Sequence, residues 1–206
     1  MLRSARFYSH LCNRFLAKGF PGTGKTSTIV FIARLMMALG KRVLITSYTH
    51  AAVDNILLKL VELHASEKCS STINTDLVRV GSKSAIHPAL HRMLAPELAG
   101  AIDRRNILRA GSLPQDVTTS KPSISSLHQV ISSAKIIGVS ALTVPKSPLL
   151  IGQKFDVVIV DEAGQISQPA IIGALMAADT FVLVGDHEQL PPLVQSDVAE
   201  KAGKRL

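Results

Sequence analysis

Tryptophan is absent from this 206-residue chain, and aromatic residues make up only 4% of it. Such a low content argues against a platform of aromatic rings on which the bases of a single strand could stack. The two cysteines, Cys12 and Cys69, rule out a disulfide scaffold and a four-cysteine metal cluster within the chain. No apolar run reaches about 18 residues, so the sequence predicts no membrane span. The length suits one domain of roughly 100–200 residues, or one domain with an insertion.

Acidic residues are missing from the first quarter of the chain, where the first one is Asp54. The net charge of +8 arises in this part, because 15 basic residues balance 15 acidic ones from residue 54 onward. This charge fits a polyanionic partner, although a basic leader would give the same value. The basic residues before Asp54 are Arg3, Arg6, Arg14, Lys18, Lys25, Arg34, Lys41 and Arg42.

Residues 1–18 contain basic residues and serines but no acid, a composition similar to that of a mitochondrial transit peptide. An altered chain start that happens to be basic is the alternative. A phosphate-binding loop normally follows a continuous apolar strand. Because Arg14 and Lys18 interrupt the segment before the glycines, we expect the first strand to be poor. We therefore divide the chain into a leader or altered start over 1–18 and a domain over 19–206.

Apolar strands and helices alternate along that domain. The patterns predict helices over 26–40, 50–63 and 166–178, and strands over 41–48, 77–80, 135–140, 155–160 and 180–185. The first helix is expected to be buried and to end at Gly40. Continuous Val and Ile runs indicate an α/β fold with a mostly parallel sheet covered on both faces. Residues 84–134 are interpreted as an irregular helical insertion, with an exposed loop over 111–123.

A glycine-rich stretch before the first helix fits the phosphate-loop pattern G-x-x-x-x-G-K-S/T. The glycines let backbone N–H groups face a phosphate chain, and the helix N-terminus adds partial positive charge. Lys25 is predicted to neutralise the β- and γ-phosphates, and Thr26 to bind Mg²⁺ through its hydroxyl. A chance Gly-rich turn is the alternative. The predicted ATP-binding residues of this stretch are Gly19, Pro21, Gly22, Thr23, Gly24, Lys25, Thr26 and Ser27.

Two carboxylates, Asp161 and Glu162, follow the apolar run Val157–Val160. An open parallel sheet places its ligand site at this end of its strands. We predict that Asp161 holds Mg²⁺ and that Glu162 orients and deprotonates the attacking water, since one carboxylate serves poorly in both tasks. A solvated acidic pair at a strand end is the alternative.

A third polar turn follows the strand predicted over 180–185 and contains Gln189. Gln189 is predicted to contact the γ-phosphate or the attacking water and so to report the nucleotide state. The alternative is that its side chain only caps a backbone group. The predicted catalytic set is Lys25, Glu162 and Gln189.

The order of these three elements resembles superfamily 1 helicases. The stretch from Thr46 to Leu60, the block DEAGQISQP (161–169) and the block VGDHEQLPPLV (184–194) are similar to the eukaryotic DNA replication ATP-dependent helicase/nuclease family. RVGSKSAIHPAL (79–90) matches more loosely. RNA/DNA helicases of the nonsense-mediated-decay group share part of these patterns and are the alternative. The resemblance covers roughly residues 19–195, the first RecA-like domain of the motor.

This resemblance implies ATP-driven 5′→3′ translocation on single-stranded DNA, with ATP and Mg²⁺ as ligands, in the nucleus, alongside replication and repair proteins. RNA is the alternative substrate, and the basic leader makes the mitochondrion the alternative location. The family's DNA-contacting segment corresponds to Thr46, Thr49, His50 and Asn55, with Ser140 as a weaker candidate for a backbone contact. Short hydroxyl and amide side chains can bond phosphate oxygens without reading bases. Capping of the following helix by Thr49 or His50 is a compatible alternative.

The sequence also departs from the family pattern. No adenine-reading glutamine motif, nuclease domain, iron–sulfur cluster ligands or second RecA-like domain is recognisable, and the last of these would supply an arginine finger. Gly164 stands where the family usually has a serine. We therefore expect weak Mg-ATP binding, slow hydrolysis at best and no unwinding by the chain alone. The competing hypotheses are a truncated or nucleotide-binding adaptor protein and, less well supported, a nucleotide kinase or GTPase.

Overall fold

A computed structural model describes residues 6–9, 14–19, 23–67, 76–109, 121–186 and 192. Seven strands form one sheet in the order β1-β2-β7-β6-β3-β5-β4. Every neighbouring pair from β2 to β4 is parallel, and β1 lies antiparallel to β2 at one edge. The strands are β1 (Arg6–Ser9), β2 (Arg14–Lys18), β3 (Val43–Ser47), β4 (Leu77–Arg79), β5 (Ile136–Ser140), β6 (Phe155–Asp161) and β7 (Ala178–Gly185).

Within the described parts of the chain, five α-helices cover the two faces of the sheet. They are α1 (Lys25–Ala38), α2 (His50–Glu67), α3 (Ala95–Arg109), α4 (Ile124–Ser133) and α5 (Gln168–Leu175). The helices α1 and α2 share one hydrophobic core with one face of the sheet, and α3, α4 and α5 share the other. In β3, Val43 and Ile45 face the first core while Leu44 faces the second, as the two-residue period of a strand requires. The predicted α/β fold with a mostly parallel, doubly covered sheet is confirmed.

The segment before the glycine-rich stretch forms a strand despite its basic residues, which corrects the expectation of a poor first strand. Residues of β2 pair in parallel register with β7, from Arg14 opposite Phe181 to Lys18 opposite Gly185. Ala17 is buried in the core, whereas Phe15 and Leu16 are exposed. Backbone pairing with β7 therefore builds this strand without a continuous apolar run. The division at residue 18 stays a prediction, and half of the segment 1–18 lies outside the described residues.

The helix α1 is buried on one side only, so it is less buried than its apolar sequence predicts. Ile29, Val30 and Ala33 face the core, while Phe31 and Leu39 are 68% and 62% exposed. The helix packs on the sheet as an outer layer, and its apolar outer face has no layer above it among the described residues. Gly40 follows the helix with a φ of 73°, a left-handed conformation that suits glycine at a helix end.

The middle of the chain contains the expected helices and short turns. Two 3-10 segments, Lys83–Ala85 and Pro88–Met93, precede α3, and α3 packs against α4. Asp103 on α3 accepts hydrogen bonds from Ser123 N and from the hydroxyls of Ser123 and Ser126 at the start of α4. Most of the loop predicted over 111–123 lies outside the described residues. Within the described ranges, every helix is too short or too polar to cross a bilayer.

Candidate active site

The carboxyl ends of β2, β7, β6 and β3 meet at one edge of the sheet. The glycine-rich loop follows β2, and the acidic pair lies at the end of β6. Ser47 and Asp161 are partners in the register of β3 and β6, so the two strands end side by side. Gly19 N donates to Gly185 O at 3.2 Å, which joins the start of the loop to the end of β7. The parallel topology thus collects residues that are far apart in sequence.

The described part of the glycine-rich loop folds tightly around Lys25. Lys25 Nζ donates to Gly19 O at 2.6 Å. A side chain at position 19 would place a Cβ 2.6 Å from Thr23 Oγ1, so the loop needs glycine there. Gly24 precedes α1 with a φ of 86°, and as a glycine it provides no side-chain cap for the helix. These features fit a loop that receives an anion at a helix N-terminus.

Asp161 is 7% exposed, and its environment sets its charge preference. Burial raises the pKa of the Asp161 carboxyl, the hydrogen bond from Glu162 N lowers it, the charge of Glu162 raises it, and the Lys25 ammonium lowers it. The Lys25 ammonium is therefore near enough to this carboxyl to act on its charge. A cation would offset the burial of the charged form.

The residues at this edge fit a magnesium ion that is bound together with a triphosphate. Mg²⁺ keeps several waters and takes one or two protein oxygens plus phosphate oxygens, so it does not need a dedicated cage of carboxylates. The described residues hold no cluster of three or more His, Cys, Asp or Glu that could bind a metal alone. Thr26, in the first turn of α1, and Asp161 are the hydroxyl and carboxylate that this binding mode requires.

Glu162 is held by hydroxyl groups from the end of β3. Ser47 Oγ donates to Glu162 Oε2 at 3.2 Å, and Thr49 Oγ1 donates to the same oxygen at 3.4 Å. Glu162 has a φ of 53°, in the left-handed region that non-glycine residues rarely adopt. The strained backbone turns this carboxylate away from the line of β6 and toward β3. Ser47 was not among the residues predicted for the site. The signal for it is a hydroxyl residue at the end of the strand that precedes Thr49.

The predicted DNA-contacting residues separate into two groups. Thr49 is exposed and also accepts a hydrogen bond from Ala52 N at 3.2 Å, which confirms that it caps α2. His50 is half-buried at the start of α2, and Asn55 is exposed on the same helix. These three residues are open to a ligand at this edge, so a DNA contact by them stays a prediction.

Thr46 and Ser140 do not present their side chains to a ligand. Thr46 is fully buried, and its hydroxyl has no hydrogen-bond partner within the described residues. Ser140 is 3% exposed; its hydroxyl bonds Thr143 Oγ1 at 2.8 Å and its carbonyl accepts from Thr143 N. A DNA contact by the Thr46 side chain would need a change from this arrangement, and the contact expected of Ser140 is one by its backbone. Both contacts stay predictions.

Three predicted site residues lie outside the described residues. They are Pro21 and Gly22 of the glycine-rich loop and Gln189 of the third turn. Thr23 and Ser27 are exposed beside the described part of the loop, and Thr26 is half-buried. The roles predicted for all of these residues stay predictions.

The glycine at position 164 has a packing reason. A Cβ there would lie 3.2 Å from Asp186 O, and a Cβ on Gly185 would lie 3.2 Å from Gly164 N. The short 3-10 turn Ala163–Gln165 therefore lies directly against the end of β7. Glycine at both positions allows this close approach.

A protein-family model described as AAA domain matches residues 4–121 and 108–197. The chain belongs to this AAA domain family. The AAA domain chain is 39% identical over 188 residues to the DNA replication ATP-dependent helicase/nuclease DNA2 of Xenopus laevis, a match that covers 91% of this chain and 15% of the relative. The corresponding protein of Homo sapiens is 38% identical with the same coverage. That of Saccharomyces cerevisiae is 36% identical over 189 residues, which is 91% of this chain and 10% of the relative.

These relatives confirm the predicted resemblance to the DNA replication helicase/nuclease family. The AAA domain chain spans only 10–15% of the length of these three proteins. Among solved structures, an Arterivirus nonstructural protein 10 helicase in complex with DNA matches with a TM-score of 0.47 and 16% identity, over 94% of this chain and 33% of that one.

Proposed function

We propose that this AAA domain binds Mg-ATP and hydrolyses it as the nucleotide-binding part of a 5′→3′ DNA helicase motor. The observation that carries the proposal is the meeting of Lys25, Asp161 and Glu162 at one sheet edge. The similarity to enzymes named as DNA replication helicase/nucleases supports the coupling to DNA.

Lys25 and the start of α1 form the phosphate-binding part of the site. Lys25 Nζ now donates to a neutral carbonyl, Gly19 O. A β- or γ-phosphate oxygen offers a stronger, charge-assisted acceptor, so the ammonium is expected to turn to the nucleotide when ATP binds. The uncapped N–H groups at the start of α1 add donors for the same anion.

The hydroxyl of Thr26 and the carboxylate of Asp161 would hold Mg²⁺, which supplies charge neutralisation on the phosphates. Glu162 is then free of metal coordination. It accepts the proton of the attacking water, and the donors from Ser47 and Thr49 fix its orientation. The predicted Gln189 would complete the site at the γ-phosphate.

The exposed side chains that follow β3 would carry the contact with a nucleic-acid strand. They are Thr49, which donates to Glu162, together with His50 and Asn55 of α2. Single-stranded DNA is the proposed substrate because the relatives are DNA replication enzymes by name. The nucleus is the proposed location on the same ground, with replication and repair proteins as proposed partners.

The test measures Mg-dependent ATP hydrolysis by the purified chain with and without oligo-dT, and with an RNA oligomer of equal length. We expect slow turnover that DNA stimulates and that Glu162→Gln reduces by about 100-fold or more while ATP binding persists. Asp179→Asn is the matched control, because Asp179 is exposed at the opposite end of β7. Turnover that is equal in Glu162→Gln and the parent would overturn the assignment.

The same measurements decide between the motor and the adaptor hypotheses. Mg-ATP binding without turnover in the parent, together with stable binding to another protein, would favour the nucleotide-binding adaptor. Stimulation by RNA but not by DNA would favour the nonsense-mediated-decay type of helicase.

A further inference from the structure

A cationic side chain, Arg79 of β4, is fully buried in the core beside α2. Arg79 Nε donates to Asp54 Oδ1 at 2.7 Å. Its Nη1 group donates to Val80 O at 2.9 Å and to Gly138 O at 3.2 Å. A buried charge is tolerated only when it is paired and hydrogen-bonded in this way.

Asp54 is satisfied from a second side, which fixes the pair in place. Its other oxygen, Oδ2, accepts from His87 N at 2.8 Å. His87 begins the segment that leads into the 3-10 turn Pro88–Met93. The pair therefore ties together α2, β4 and the segment after β4.

The remaining nitrogen of the guanidinium, Nη2, contacts His50, the first residue of α2. Arg79 Nη2 lies 3.1 Å from His50 Nδ1. A guanidinium has donors and no acceptor, so Nδ1 must be the acceptor and cannot carry a proton. In the neutral ring the proton is then on Nε2. Burial, followed by the charge of Arg79, lowers the pKa of His50, and Asp54 acts in the opposite direction.

Gly81 follows β4 and lies beside the His50 ring. It has a φ of 150°, and a Cβ there would lie 3.1 Å from Ile86 Cδ1 and, at an ordinary contact distance, 3.6 Å from His50 Cε1. The contact with the guanidinium is therefore the interaction that orients the ring.

The other ring nitrogen, Nε2, bonds to none of the residues that the structure describes. His50 is half-buried at the same sheet edge as Thr49 and Glu162. Its single N–H donor is therefore available to an acceptor outside the described residues. A phosphodiester oxygen of a strand that crosses this edge is an acceptor of the right type.

We propose that Arg79, held by Asp54, is a positioning residue that fixes His50 as the Nε2–H tautomer so that His50 donates to a phosphate oxygen of bound single-stranded nucleic acid. The nucleic-acid ligand in this inference rests on the proposed function. The tautomer of His50 does not depend on that function, so the tautomer and the nucleic-acid contact can be refuted separately.

The first measurement is the tautomer of His50, read from imidazole ¹⁵N and ¹³Cδ2 chemical shifts of the parent chain at neutral pH. His50→Ala assigns the signals. We expect a single Nε2–H form in the parent and a mixture in Arg79→Lys, which keeps a cation beside Asp54 but lacks the planar fork. A mixture or an Nδ1–H form in the parent would overturn the proposal even if Arg79→Lys fails to fold.

The second measurement is the affinity for oligo-dT at several salt concentrations. His50→Ala should weaken binding about three- to tenfold, the effect of one lost hydrogen bond. The slope of log affinity against log salt should stay the same, because a neutral donor releases no counterion. His128→Ala is the matched control, since His128 is exposed on α4 on the other side of the sheet. Arg79→Lys with His50→Ala should bind no more weakly than His50→Ala alone.

Unchanged affinity in His50→Ala would refute the inference while leaving DNA binding by the chain intact. A parent chain that binds no single-stranded nucleic acid would refute both the ligand of His50 and the DNA part of the proposed function. A changed salt slope in His50→Ala would show a charged contact and contradict the neutral tautomer.

Discussion

Ser47, the last residue of β3, donates its hydroxyl to Oε2 of Glu162, the residue after β6, at 3.2 Å. Ser47 is fully buried, and its carbonyl accepts from Ala141 N at 2.8 Å. The donor is therefore held rigidly by the sheet, and it fixes the carboxylate that we propose as the general base.

Ser47→Ala should reduce the turnover number for ATP about three- to tenfold, because the carboxylate loses one oriented donor and keeps only the longer contact from Thr49. The affinity for Mg-ATP should stay within about twofold of the parent, since the Ser47 hydroxyl donates to the proposed base and not to a proposed phosphate or magnesium ligand. Steady-state hydrolysis and direct nucleotide titration give the two values. An unchanged or higher turnover number would show that Ser47 does not position Glu162.

Gly164→Ala should lower the free energy of unfolding by about 1–2 kcal/mol, because the new Cβ would lie 3.2 Å from Asp186 O, a backbone atom. Urea denaturation measures this change. Gly152→Ala offers a contrasting control, because a Cβ at Gly152 meets nothing within 4 Å and the cost there arises from its φ of 76°. Equal stability of Gly164→Ala and the parent would mean that the turn Ala163–Gln165 moves away from the end of β7 at little cost.

Arg42→Ala should destabilise the fold by about 2–3 kcal/mol. The Arg42 guanidinium donates to the carbonyls of Ile131, Ala134 and Lys154, and it lies 5.0 Å from the Phe155 ring centroid. Arg42→Lys should recover less than half of the loss, because an ammonium cannot bond all three carbonyls at once. Thermal and urea denaturation of the two variants test this. Nearly full stability of Arg42→Lys would show that the positive charge alone, and not the three hydrogen bonds, stabilises the fold.

Asp103→Ala should lower the free energy of unfolding by about 1 kcal/mol at neutral pH, because Ser123 and Ser126 at the start of α4 lose the carboxylate that accepts their hydrogen bonds. The hydrogen bond from Ser126 Oγ lowers the pKa of Asp103 most, and that from Ser123 N comes next. The hydrogen bond from Ser123 Oγ lowers this pKa less. A lowered pKa in the folded state gives stability that is present above the ordinary aspartate pKa near about 4 and is lost as pH falls through the folded value. The difference between parent and variant should therefore be constant from about pH 6 to 8 and shrink below about pH 4. Urea denaturation of both proteins across this pH range measures the difference. A difference in stability that grows as the pH falls would contradict a stabilising role of the ionised Asp103.

Much of this fold could be predicted because its strands are continuous apolar runs. The strand predicted over 155–160 is β6, Phe155–Asp161, and the acid pair stands at its end as expected. The ends of such strands are specified locally, and parallel pairing then brings them to one edge. The helices α1 and α2 likewise begin within a residue of their predicted starts.

Residues whose role depends on a distant partner could not be predicted. Arg79 sits inside the apolar run 77–80, and Asp54 lies beside the buried Val53 on α2; both are charges at core positions. Only the contact between β4 and α2 shows that they neutralise each other. The strand β2 was expected to be poor for a similar reason, since its pairing with β7 and not its own sequence pattern stabilises it.

The central claim is that Lys25 and Asp161 act on one magnesium-bound triphosphate, and a double-mutant cycle on Mg-ATP affinity tests it most directly. Lys25→Ala, Asp161→Asn and the double variant are compared with the parent by calorimetric or fluorescence titration, with Lys154→Ala at the opposite sheet edge as the control. We predict that each single variant weakens binding at least about tenfold and that the two effects differ from additivity by about 1 kcal/mol or more. Affinities equal to that of the parent, or strictly additive losses, would contradict a shared site.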